Sequence, residues 1–266
     1  MKAPLILIIL ICFMLFASCE IIQYSPYQTN LDDSSTELIN KNLDRISRLD
    51  QSSSGSFKYA VIADNHANYD DFVDAVKHIS QNSEISFVIH VGDMTELGLK
   101  KEYEWAYEIL SMLAVPYFTV IGNHDCLSNG DIIYRNMFGH FEYSFTFHNA
   151  KFVVFNTNTW EFKEGVPNFD WMETELSSDS SCDLVFVFAH VPPFGDQMQG
   201  ENENHYRELL AGNNIDLSIH GHEHKYSCDE HYSDGVVYLV VDHLGSRNYC
   251  IISVNDSSFE ISRIFY

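Results

Sequence analysis

Basic residues are scarce in this chain: 15 Lys and Arg stand against 38 Asp and Glu, a formal net charge of −23 over 266 residues. A surface so acidic repels polyphosphate backbones, which excludes bulk nucleic-acid binding. It does not exclude a small anionic ligand, because bound divalent cations can dominate a site's local field whatever the global sum. Long apolar runs are also missing after the first twenty residues, so no second membrane crossing is expected. No internal repeat is visible. What is present is 45% apolar and 14% aromatic composition, enough for one large core and one catalytic-sized domain.

The chain opens Met1-Lys2-Ala3-Pro4, runs unbroken apolar over 5–17, and then reads Ser18-Cys19. The run falls short of the roughly 18 residues that span a bilayer, and its basic start and small-residue end are those of an export signal over 1–18. Leu15-Phe16-Ala17-Ser18-Cys19 resembles a bacterial lipoprotein lipobox, with Phe16 standing where an aliphatic residue is usual. That resemblance implies acylation of Cys19 and a lipid-anchored protein of the cell envelope, facing the periplasm or exposed at the surface. The alternative is ordinary secretion with Cys19 a chance residue. Loss of Lys2 with the signal leaves 14 basic against 38 acidic residues, a net charge of −24. Cys126, Cys182, Cys228 and Cys250 would then meet an oxidising compartment, where three pairings are open. Cys228–Cys250 is the favoured pair, and free buried thiols are the alternative.

Residues 19–56 read as a tether. The stretch 20–33 is polar, Gln51-Ser52-Ser53-Ser54-Gly55-Ser56 is a linker by composition, and Leu38, Ile39, Leu43, Ile46 and Leu49 between them recur at helical spacing after the possible caps Ser35 and Thr36. This short amphipathic helix packs on the catalytic body or stands as a stalk; its polar face is not basic enough for a membrane surface. From residue 57 to 266, strand-like runs at 58–63, 86–91, 117–121, 184–189 and 215–219 alternate with helical stretches at 70–80, 101–113, 169–176 and 205–210. A hairpin is predicted from 141–147 and 152–156 across His148-Asn149-Ala150. Runs at 236–241, 249–254 and 259–264 close the chain as antiparallel strands.

Each strand-like run ends in a polar cluster: Asp64-Asn65-His66, Gly92-Asp93-Met94-Thr95-Glu96, Gly122-Asn123-His124-Asp125, Ala189-His190 and Gly221-His222-Glu223-His224. Singly, such clusters are turns or structural histidines. Five in succession, each after its own strand, imply one site, because loops converge at the carboxyl ends of strands in α/β sheets. Imidazole with carboxylate suits Mn, Fe or Zn, whereas Mg and Ca prefer oxygen alone. His222 and His224 straddle Glu223, so an extended segment would put both on one face and turn Glu223 away.

In this order the clusters resemble the calcineurin-like metallophosphoesterase superfamily, whose pattern is D-x-H, GD-x-x-[DE], GNH-[DE], H and GH-x-H, over roughly 59–224. The second and third clusters look like its cyclic-nucleotide phosphodiesterase-like branch. The resemblance implies an α/β/β/α sandwich of two mixed sheets flanked by helices. It also implies two metal ions: Asp64, His66 and His224 for the first, Asn123, His190 and His222 for the second, and Asp93 between them. A bridging water would be the nucleophile of an in-line displacement. His124 would contact the phosphate and protonate the leaving oxygen, oriented by Glu96, with Asp125 the other candidate. Purple acid phosphatases place a tyrosine where Glu96 stands, so neither tyrosinate colour nor an obligate ferric ion is expected.

The remaining histidines read as surface or core residues, and the aromatics, Trp105, Trp160 and Trp171 among them, as core. Lys225 or Arg247 could meet a second phosphate of the substrate. The function implied is hydrolysis of a small phosphoester. The alternatives are a phosphomonoesterase or pyrophosphatase in place of a phosphodiesterase, or a catalytically silent, surface-displayed binding protein on the same fold. Substrate choice would rest with loops 127–136, 160–168 and 194–204.

Overall fold

A computed structural model of the chain describes residues 25–49, 55–162, 164–178 and 182–266. The export signal, Cys19 and most of the Ser-rich linker lie outside the described residues. Among those described, eleven strands form two mixed sheets with helices on both outer faces, a four-layer α/β/β/α sandwich.

The five-stranded sheet has β1 (Phe57–Ile62), β2 (Ile85–His90) and β3 (Tyr117–Thr119) parallel, with β10 (Asn248–Asn255) and β11 (Ser258–Phe265) antiparallel beyond β1. The six-stranded sheet runs β4 (Tyr143–Phe147), β5 (Ala150–Val154), β6 (Leu184–Phe188), β7 (Leu217–His220), β9 (Val237–Val240), β8 (Ser227–Asp229). The predicted 236–241 run therefore does not join the antiparallel closing strands. Its strand, β9, lies parallel to β7 in the other sheet.

Alternation along the strands builds the layers. Phe152, Val154, Phe186 and Phe188 face the seam between the sheets, while Val153, Phe155, Val187 and Ala189 face outward. The seam is aromatic: Tyr59 stacks on Phe87 at 5.1 Å, Phe152 meets Phe87 edge-on at 5.2 Å, and Phe118 stacks on Phe145 at 4.2 Å. Outside the five-stranded sheet's strands pack α1 (Leu38–Ile46), α2 (Tyr69–Ile79), α3 (Lys100–Leu110) and α4 (Gly130–Met137). The outer face of the six-stranded sheet carries α5 (Phe169–Ser177) and α6 (Glu201–Gly212), whose Met172, Tyr206 and Leu210 close the second core.

The α1 helix lies against the α/β body. Leu38, Ile39 and Ile46 are buried, the Asn42 side chain accepts the Tyr117 N–H at 3.1 Å, and Arg45 donates to the Ala114 carbonyl at 2.7 Å. It thereby occupies a main-chain donor of β3, the sheet's edge strand, which open edges leave unpaired. Ser35 and Thr36 do not cap it; their hydroxyls donate to the Asp32 and Asp33 carbonyls of the preceding 3₁₀ turn. Two predicted substrate loops also differ, since 127–136 is largely α4 and 194–204 contains the start of α6. Among the aromatics, Trp171 stacks on Phe155, but Trp105 and Trp160 are exposed. Among the described residues no helix is long and apolar enough to cross a membrane.

Candidate metal centre

All five polar clusters leave the carboxyl ends of their strands on one side of the sandwich, and their loops lock together by main-chain bonds. Asp64 N–H donates to Gly92 O at 3.0 Å, His66 N–H to Asp93 O at 3.1 Å, and Gly221 N–H to His190 O at 3.1 Å. Chain reversal this tight demands unusual backbone. Asp64, His66, Asp93, His222 and His224 all have φ between 45° and 69°, a region costing a side-chain-bearing residue roughly 1 kcal/mol or more. His222 and His224 are thus not in an extended segment. The two left-handed residues turn their rings to different partners, and exposed Glu223 lies between them. Gly92, at φ 92°, has no such alternative, because a Cβ there would collide with the His190 ring.

The seven predicted donors converge in two groups. In one, His224 Nε2 lies 3.4 Å from Asp64 Oδ1 and 2.9 Å from His66 Nε2. In the other, Asn123 Oδ1 lies 3.1 Å from His190 Nε2 and 3.0 Å from His222 Nδ1. Asp93 stands between them, with Oδ2 3.5 Å from His66 Nε2 and 3.3 Å from His190 Nε2. Its other oxygen accepts the His124 main-chain N–H at 2.9 Å, which holds Oδ2 toward both groups. Val91 O accepts from His190 Nδ1–H at 2.8 Å, so His190 Nε2 faces inward. Asp64, His66, Asp93 and His224 bring ligand atoms within 4.8 Å of one another, the donors and spacing of a divalent-cation site.

Charge and burial compete here. Burial raises the Asp93 carboxyl, but the imidazoles of His190, His66 and His124 prevail and hold it below the usual carboxylate range. Burial lowers His190, against which the Asp93 and Asp64 carboxylates lift it above an ordinary imidazole. His66 is lowered, chiefly by burial, and His224 is raised by its contact with Asp64.

His124 stands beside this cluster, its ring edge-on to His66 at 4.5 Å between centroids. Its Nδ1–H donates to a carbonyl, leaving Nε2 for a ligand. That carbonyl is the main chain of Glu96, at 2.8 Å, whereas the Glu96 side chain lies 3.3 Å from His66 Nδ1. Glu96 therefore orients His124 through its backbone and not through its carboxylate. Asp125 does not face the His124 ring. It is buried, accepting from Thr95 N–H, Thr95 Oγ1–H and Gly122 N–H, and so ties the second loop to the third. Burial, then Asp93, raises its carboxyl to about 7.

Arg247 is occupied by Asp71 at 2.8 Å and Asp74 at 3.1 Å, and Lys225 is simply exposed. Cys228 and Cys250 form no disulfide. His90 and His220 are core residues, the latter donating Nδ1–H to Ala189 O at 2.9 Å. Two contributors lacked any sequence signal: Asp196, 3.3 Å from His222 Nε2, and Asn158, whose amide donates to Ile121 O at 2.8 Å beneath the third loop.

The same architecture recurs in solved structures. A purple acid phosphatase from yellow lupin (Lupinus luteus) seeds superposes with a TM-score of 0.64 at 17% identity, over 79% of this chain and 52% of the enzyme. The chain thus spans about half the lupin protein's length. GAP50, the anchor in the inner membrane complex of Plasmodium, gives 0.62 at 15% identity, over 79% and 84%. TT1561 of Thermus thermophilus gives 0.54 at 14%, over 78% and 98%. No curated protein matches by sequence. The family model for calcineurin-like phosphoesterases, however, matches residues 57–226, from the first residue of β1 to just past His224, and to that family the chain belongs.

Proposed function

We propose that the protein is a dinuclear metal-dependent phosphoester hydrolase of the bacterial cell envelope, tethered by an acylated Cys19. The single observation carrying the chemistry is the position of Asp93 Oδ2, within 3.5 Å of one imidazole from each donor group. Asp64, His66 and His224 would hold one ion and Asn123, His190 and His222 the other, with Asp93 placed between the two sets. Four imidazoles, two carboxylates and an amide favour Mn, Fe or Zn. A bound cation pair supplies charge neutralisation at the phosphoryl oxygens and an acidified water. His124, fixed through Nδ1 by the Glu96 carbonyl, presents Nε2 to the leaving oxygen as general acid. Asp93 fixes the His124 main chain and keeps the two donor groups in register. The substrate is a small phosphoester met outside the cytoplasm. The diesterase branch rests on the form of the second and third clusters alone.

The test is metal analysis of the purified chain beside turnover of bis-p-nitrophenyl phosphate and p-nitrophenyl phosphate with added Mn²⁺ or Zn²⁺. Two ions per chain and hydrolysis of at least one ester are expected. Two bound ions without turnover of these or a panel of natural phosphoesters would establish a silent binding protein instead.

A further inference from the structure

Leu97 and Leu127 are exposed on the turns that also carry His124 and its carbonyl partner, with Ile132 exposed on α4 and Tyr27 on the segment that bonds Asn129. Leu97 is 50% exposed, Leu127 38%, Ile132 46% and Tyr27 59%. Leu97 follows Glu96 directly, and the Leu127 N–H donates to His124 O at 3.2 Å. Ser128 Oγ–H donates to Leu97 O at 2.9 Å, and the Asn129 amide donates to Tyr27 O at 2.8 Å, so these segments form one surface. Nor is the Leu97 turn loose. Both the Leu97 and Leu99 N–H groups donate to the Glu102 carboxylate, at 3.0 and 2.9 Å. One exposed leucine needs no explanation, but two on pinned turns beside a proton donor mark a binding surface.

We infer that this rim is a subsite for an apolar leaving group, so that the preferred substrate is the phosphoester of an alkyl or aryl alcohol. The inference rests on the proposed role of His124. In hydrolysis the bond from phosphorus to the leaving oxygen breaks, water oxygen bonds to phosphorus and releases a proton to solvent, and the leaving oxygen takes its proton from His124, which recovers one from solvent. The alcohol must therefore lie beside His124, whose neighbouring turns carry Leu97 and Leu127. Such an alcohol could belong to a membrane lipid or to a soluble ester; the shared feature is its apolar body.

The test uses the full metal-loaded chain and alkyl phosphates, as monoesters and methyl diesters, from ethyl to octyl below their micelle concentrations. Alcohol acidity barely changes along this series, so kcat/KM reads apolar contact. It should rise about 5-fold or more from ethyl to octyl. Leu97→Ser and Leu127→Ser should each lower the octyl-to-ethyl ratio about 3-fold, while Met112→Ser, exposed at the far end of α3, leaves it unchanged. A flat wild-type series, or a slope surviving both leucine replacements, overturns the subsite. If no ester is hydrolysed, the proposed chemistry fails instead, and calorimetric binding of octyl against ethyl phosphonate then decides the subsite alone. Faster turnover of a long-chain phosphatidate in vesicles than of a soluble short-chain one assigns the alcohol to a bilayer; the reverse assigns it to a soluble ester. Both results require the apolar preference itself.

Discussion

The two sheets contribute different chemistry to one site. From the five-stranded sheet come all three oxygen donors, Asp64, Asp93 and Asn123, with a single imidazole, His66. From the six-stranded sheet come only imidazoles, His190, His222 and His224. Neither half has both charge compensation and nitrogen ligands in number, and the group pairings cross the seam: His224 faces Asp64, and His190 and His222 face Asn123. The site is therefore a property of how the sheets are packed. Asp93, reaching one ring from each sheet, is where the halves are joined.

The sharpest way to break that comparison is at the join. Asp93→Asn keeps the shape but removes the charge, and should lower bound metal and turnover together, the rate by at least about 10³-fold. Metal analysis beside kinetics checks it, and normal metal content would show that the halves are held without this carboxylate. Next comes the seam itself. Phe152 is fully buried among Tyr59, Phe87, Phe145 and Phe186, so Phe152→Ala should cost about 3–5 kcal/mol in urea unfolding. A loss under 1 kcal/mol would mean the layers do not depend on the aromatic stack. His124 lies outside both donor groups, so His124→Ala should slow turnover about 10²- to 10³-fold with metal content near normal. Unchanged turnover would remove it from the reaction.

The smallest effect per residue is on acid stability, to which each sheet contributes one histidine buried within a strand. Burial pushes His90 and His220 down to about 3, the pull of Asp93 on His90 notwithstanding. Unfolding restores an ordinary value near 6.5 and takes up a proton. Because the folded value is the lower one, stability is whole above about pH 6.5 and falls as pH drops toward 3. From pH 7 to pH 5 each ring should cost about 2 kcal/mol. Urea midpoints at the two pH values measure the sum, and an unchanged midpoint would mean that these rings are not neutral and buried.

The strand-end clusters were legible because each is a short local pattern: an apolar run, then a small residue, then ligand types. Pairing partners were not. Nothing within 236–241 distinguishes a strand parallel to β7 from one antiparallel to β10, since that choice is made by the packing of the whole sheet. The α4 helix was hidden because it begins at Gly130 and follows Ser128 and Asn129, residues that otherwise mark a loop. The Glu96 carbonyl that accepts from His124 carries no sequence signal, because a side chain suggests its own use and a carbonyl belongs to every residue. Asp196 and Asn158 reach the site from loops 26 and 37 residues away in sequence from the groups they touch, with no pattern to announce them. The bends at His222 and His224 have no local pattern either; the Asp64 carboxylate accepts the His222 N–H from the other sheet's loop.

Those bends have a consequence for the economy of the whole molecule. Five of the seven candidate donor positions adopt a chirality of backbone that glycine would occupy without steric penalty, and at each of them glycine would remove the candidate ligand. Durability and cation capture thus draw on the same five peptide units, in opposite directions. Improving this protein for endurance alone would lead, position by position, toward a sturdier scaffold with nothing left at its rim to grip a metal.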